Sequence, residues 1–132
     1  MSRSSQRRLL RWLRRKRAGV VEIVRTFRWT RSELAWTKAR LVTDGVSTRA
    51  RPPVSLGTRG YRGLNLAMRL LRPSCLERAL VMQAWYSLRG PAPDVVIGVR
   101  ERDGATEAHA WLADSDDPLF DDSYAEITRL TA

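Results

Sequence analysis

The hydrophobic period of this chain changes once, at Gly90-Pro91, and that change limits what the chain can fold into. Before it, apolar residues recur every three to four positions; after it, they alternate in short β-branched runs. Helices followed by strands predict an α+β fold, with N-terminal helices packed on a small antiparallel sheet. A length of 132 residues suits one domain, and two independent cores are not expected. Hydrophobic residues make up 43% of the chain, which excludes global disorder.

The first six residues are polar and expected to fray. In the run RRLLRWLRRKR, Leu9, Leu10, Trp12 and Leu13 share a helical face and the other positions are basic. Gly19 is a candidate interruption. Val20, Val21, Val24 and Phe27 then recur at helical spacing. Thr30 followed by Glu33 fits a capping box. Leu34, Leu41 and Val42 carry the pattern on, so one long or two shorter helices are expected over 7–43, stopped by Asp44-Gly45. Residues 44–60, with Pro52, Pro53, Gly57 and Gly60, read as a loop. A short helix over 61–71 is ended by Pro73, and another runs from Cys75 to about Leu88. Strands are expected over 94–100 and 106–113, joined by an Asp103-Gly104 hairpin turn. An acidic turn over 114–118 leads to a third strand near Leu119-Phe120, and a last strand covers 124–130.

The formal net charge of +10 first suggests a nucleic-acid binder. It is an average over two regions of opposite sign. Residues 1–72 hold 19 basic and 3 acidic residues, whereas residues 73–132 hold 5 basic and 11 acidic. No helix-turn-helix, zinc-finger or RNA-binding sheet motif accompanies the basic part, so nucleic acid is not the favoured partner. Leu9, Leu10, Trp12 and Leu13 opposite a dense Arg face also fit a membrane surface, and acidic surfaces of partner proteins would fit as well.

One cysteine, Cys75, excludes an internal disulfide and a Cys-rich zinc site. With one histidine, His109, the chain has a poor metal set but a sufficient pair for thiolate chemistry. No cofactor is expected. No apolar run approaches the roughly 20 residues that span a bilayer, and no secretory signal is recognisable. A reducing cytoplasm is the expected compartment, and it suits a free thiol.

Ser74 and Glu77 bracket Cys75 as a capping box requires, which puts the thiol in the first turn of a helix. The free N–H groups there favour thiolate over thiol, and can stabilise an oxyanion formed by its attack on a carbonyl. A small buried hydrophobe is the plainer role for such a cysteine. His109 lies inside a strand, with Ala108 and Ala110 on the other face, where small residues suit a close-packed helix. Trp111 shares the imidazole's face and can shield it from water. Asp121 or Asp122, at a strand end, could accept the imidazole N–H and fix its tautomer. Asp114, Asp116 and Asp117 read as a solvated turn. The order Cys, His, Asp is that of thiol peptidases and transglutaminases.

The strings CLERALVMQAWYSLRG, DVVIGVR, AHAW and LFDD stand in this order over about residues 60–130. They resemble the standalone leader peptidase of lasso-peptide biosynthesis, a family of transglutaminase-like cysteine peptidases. Phe120 stands where some members have Asn, and residues 114–118 stand where many have a Gly-rich turn. The resemblance implies a transglutaminase/papain-like core over 60–132, after a basic helical region and loop over 1–59. It implies Cys75 as nucleophile and His109 as general base. It implies Asp121, twelve residues after His109, as the third member, with Asp122 as the alternative. The implied reaction is removal of the leader from a ribosomally made precursor peptide. A small leader-binding protein would present the substrate, and an ATP-dependent macrolactam synthetase would close the ring on the freed α-amine. Acyl transfer to an amine in place of water would use the same residues. A non-enzymatic basic module, binding nucleic acid or an anionic membrane, is the alternative from a different class.

Overall fold

The computed structural model describes residues 2–54, 56–114 and 123–132. Its order is helices before strands, the α+β arrangement expected from the change of period. The first helix, α1 (Arg3–Asp44), is a single element of 42 residues, beginning inside the segment expected to fray. Gly19 does not interrupt it. One glycine costs a helix only about 1 kcal/mol relative to Ala, which the rest of a long helix outweighs.

Thr30 and Glu33 do not cap a helix start; both lie in the middle of α1. The Thr30 hydroxyl donates to the Thr26 carbonyl one turn earlier, at 2.8 Å. Glu33, buried, accepts the backbone N–H of Arg51 at 2.6 Å and its guanidinium at 3.1 Å. The same Arg51 guanidinium lies 4.3 Å over the Trp36 ring. The T-x-x-E pattern therefore serves a buried helix face and a loop clasp. The buried positions of α1 are Thr26, Thr30, Glu33, Leu34 and Thr37. Of the apolar residues at helical spacing, Val20, Val21 and Val24 are exposed and Phe27 is half-buried.

The chain divides into two compact units, Met1–Arg31 with Ser55–Leu71, and Ser32–Val54 with Arg72–Ala132. In the first, the start of α1 is joined by α2 (Tyr61–Leu71), entered through a 3₁₀ turn at Thr58–Gly60. Close approach of backbones accounts for Thr26 on the buried face. A Cβ on Gly63 would overlap the Ile23 carbonyl oxygen of α1 and come within 3.0 Å of Phe27 N. A Cβ on Gly60 would overlap the Thr26 side chain. Small residues on both sides let the two helices meet at this distance, where Val or Leu would hold them apart.

The second unit holds α3 (Cys75–Tyr86) and a three-stranded antiparallel sheet of β1 (Val95–Arg102), β2 (Ala105–Leu112) and β3 (Ala125–Leu130). The strand order among the described residues is β2-β1-β3. The expected strand near Leu119-Phe120 lies outside the described residues. The β1–β2 turn is Asp103-Gly104, both at positive φ (53° and 79°), the left-handed pair that a two-residue hairpin needs. The turn fixes the register: Arg100 faces Glu107, Gly98 faces His109 and Val96 faces Trp111.

The helix α3 ends at Tyr86, and a 3₁₀ turn (Ser87–Arg89) replaces the last turn expected to reach Leu88. Its middle buries Ala79, Leu80, Val81, Gln83, Ala84 and Trp85 in near succession, more than one helical face, while Arg78, Met82 and Tyr86 on the remaining side are half-buried. Ala79 and Leu80 form one cluster with Val95, Ala110, Leu112 and Leu130 of the sheet. Leu41, near the end of α1, packs against the same cluster. The buried Gln83 amide donates to the carbonyls of Pro93 (3.1 Å) and Leu130 (2.9 Å), tying α3 to the ends of β1 and β3.

Candidate active site

Cys75 is the first residue of α3, and Ser74 caps the helix as the sequence predicts. The Ser74 hydroxyl accepts the Glu77 N–H at 3.2 Å, and the Glu77 carboxylate accepts the Ser74 N–H at 3.0 Å. Each satisfies a donor that a helix start leaves free. The chain leaves α2 through Arg72, in the left-handed region (φ 45°), and Pro73 then precedes the cap. Turn, proline and cap together set where the thiol begins the helix. Cys75 is half-buried and packs against the cluster that contains Ala110. Replacing Ser74 by Ala should lower the unfolding free energy by about 1 kcal/mol, read from urea unfolding. Glu77→Gln keeps the reciprocal bond and should cost less.

His109 lies in β2 and is 8% exposed. Alternation along β2 sends Ala110 and Leu112 to the face on which α3 packs, and His109 and Trp111 to the other. On that face the imidazole stacks on Trp111 (ring centroids 5.8 Å apart, planes at 21°) and tilts against Tyr124 (5.5 Å). Gly98 makes room for this: a Cβ there would stand 2.7 Å from the Trp111 indole and 3.0 Å from the Ala125 carbonyl oxygen. The Arg100 guanidinium lies 4.5 Å over the Tyr124 ring and pairs with Glu107 at 2.8 Å. The polar path Glu107–Arg100 therefore ends on the aromatic group that holds the imidazole.

Trp111 stacks on His109 as expected, Tyr124 also contacts the imidazole, and Arg100 lies over Tyr124. Sequence reading gave neither of these two a role. The hairpin turn could have found Arg100, because counting back from Asp103-Gly104 pairs it with Glu107, two residues from His109 on the same face. Tyr124 precedes a strand and had no such signal. Asp121 and Asp122 lie outside the described residues. Asp114 is exposed, in the left-handed region (φ 58°), as suits a solvated turn. The structure thus brings together the elements that carry Cys75 and His109, since α3 packs on β2. The thiol lies with the Ala110 cluster and the imidazole with the aromatic rings, and among the described residues no hydrogen bond joins the two. Groups of His, Cys, Asp and Glu arranged to hold a metal ion are absent among the described residues.

A family model described as the Transglutaminase-like superfamily matches residues 20–132. The chain belongs to the transglutaminase-like superfamily. The match takes in most of α1 as well as α2, α3 and the sheet, so the family extends beyond the residues 60–130 that carried the resemblance in sequence. This superfamily generally contains cysteine-protease-like enzymes. Neither a curated protein nor a solved structure matches the chain. No helix among the described residues is long and apolar enough to cross a membrane.

Proposed function

We propose that this superfamily member is a cysteine peptidase that removes the leader from a lasso-peptide precursor before macrolactam closure. The observation that carries the reading is Cys75 as first residue of α3, held there by the two-way cap of Ser74 and Glu77. A thiol at this place has the free N–H groups of the helix start to receive an oxyanion. In the proposed reaction His109 takes the thiol proton and Cys75 Sγ attacks the scissile carbonyl. The amine leaves with the proton returned by His109. Water, deprotonated by His109, then releases the acyl group and regenerates the thiol. Asp121, or Asp122 beside it, would accept the other imidazole N–H.

The partners in this reading are the precursor leader, a small leader-binding protein and an ATP-dependent synthetase that consumes the freed α-amine. The test is turnover of a lasso-peptide precursor, in the presence of a leader-binding protein, followed by mass spectrometry. Wild type should release the core peptide with a free α-amine, and Cys75→Ala should lose activity by about 10³-fold or more. Undiminished cleavage by Cys75→Ala overturns the reading. A product joined to an added amine, with no hydrolysis, would assign an acyltransferase with the same nucleophile.

A further inference from the structure

Residues 3–17 form the first four turns of α1 and hold eight arginines and lysines with no acidic residue. Leu9, Leu10 and Leu13 stand exposed there at 46%, 58% and 45%, and Trp12 at 51%. The apolar positions are ordered. Leu9, Leu13, Val20 and Val24 follow one line along the helix, with Leu10 and Val21 beside it, and all six are exposed. The line is about 22 Å long at 1.5 Å per residue. Arg7, Arg8, Arg11 and Arg15 project from the opposite side. Where the two faces meet, a shallow, mostly apolar groove of about 220 Å³ is lined by Arg7, Leu10, Arg11 and Arg14. The Lys16 ammonium lies 4.6 Å over the Trp12 ring, at the other border of the apolar row.

We infer that this part of α1 is a membrane-surface helix that lies on an anionic lipid bilayer. The apolar row is the surface that enters the acyl boundary, and Trp12 and the flanking cations sit at headgroup level. The Arg7–Arg11–Arg14 groove takes a lipid phosphate, with Leu10 reaching toward the glycerol and acyl region. Charge complementarity selects this partner. Eight cations without an anion match a surface of uniform negative charge, which an anionic leaflet provides and a protein groove of mixed charge does not. Nucleic acid would use the cations but leave six large apolar side chains in water. The helix lies on the bilayer and does not cross it, since its polar side carries too many charges for a span.

The test is co-sedimentation of the full chain with phosphatidylcholine vesicles, with and without phosphatidylglycerol. Binding should be about tenfold or more stronger to the phosphatidylglycerol vesicles, and should weaken with added salt. The double substitution Leu9→Ser/Leu13→Ser and the triple substitution Arg7→Gln/Arg11→Gln/Arg14→Gln should each cost about tenfold in affinity. All these side chains are exposed, so unchanged helix content by circular dichroism is expected alongside. Equal binding to both vesicle types overturns the proposal. So does full binding by the leucine variant together with salt-dependent binding to RNA, which would assign the surface to nucleic acid. No turnover enters the measurement, so its failure leaves the peptidase reading untouched.

Discussion

Precursor cleavage is expected to fall by about 10⁴-fold when His109 is replaced by Ala, and to fall no further when Cys75→Ala is added. The reason is that the pair acts as a unit. Without the base nothing takes the thiol proton as sulfur attacks, and without the thiol the base has no nucleophile to activate. Singles and double therefore converge on the residual rate that binding and the helix N–H groups supply. The measurement is single-turnover cleavage of the precursor with its leader-binding protein, for the two single variants and the double. The surroundings of His109 make the outcome informative. The ring stacks on Trp111 and Tyr124 and is 8% exposed, which would suit a purely structural side chain equally well. A structural role predicts instead that His109→Gln keeps most of the activity and lowers stability. Retention of near wild-type turnover by His109→Gln would remove His109 from the mechanism.

Gly63→Ala is expected to destabilise the first unit by about 2 kcal/mol. Alanine favours a helix over glycine by about 1 kcal/mol, so a surface position would gain from this change. Here the new methyl meets the backbone of α1, at the Ile23 carbonyl and Phe27 N, and backbone atoms cannot rotate away as a side chain can. Overpacking of this kind costs about 3 kcal/mol, and the net sign is a loss. Urea unfolding followed by circular dichroism reads the effect as a lower midpoint. A midpoint unchanged or raised would show that α2 does not approach α1 at Gly63.

The two glycines of this contact show why part of the fold was illegible in the sequence. Gly60 reads as loop punctuation and Gly63 as a mild blemish in a short helix. Their role is set by what stands opposite, which no local pattern records. The same holds for α1. Val20, Val21 and Val24 have the spacing of a core face, but the buried face carries Thr26, Thr30 and Thr37. Of the three, Thr30 satisfies its hydroxyl within the helix, on the Thr26 carbonyl, whereas the buried hydroxyls of Thr26 and Thr37 make no hydrogen bond among the described residues. The helix exchanges apolar area for closeness to glycine. The T-x-x-E pattern at Thr30 misleads for a related reason: capping residues and buried polar residues are the same types, and only the position of the helix start tells them apart.

By itself, the sequence determined the change from helices to strands, the Asp103-Gly104 hairpin, the end of α2 before Pro73 and the capped start of α3 at Cys75. Each is a local matter, decided within a few residues by backbone dihedrals, free N–H groups or side-chain alternation. Only the tertiary structure decided which face of α1 is buried, that the Gln83 amide donates to the carbonyls of Pro93 and Leu130, and that Tyr124, under Arg100, packs on His109. These depend on partners far apart in the chain, where the gain comes from packing and from satisfying buried polar groups. Charge shows the same division. The sequence separates a basic part from an acidic part, but only the folded chain leaves the leucines and valines of α1 exposed beside the arginines.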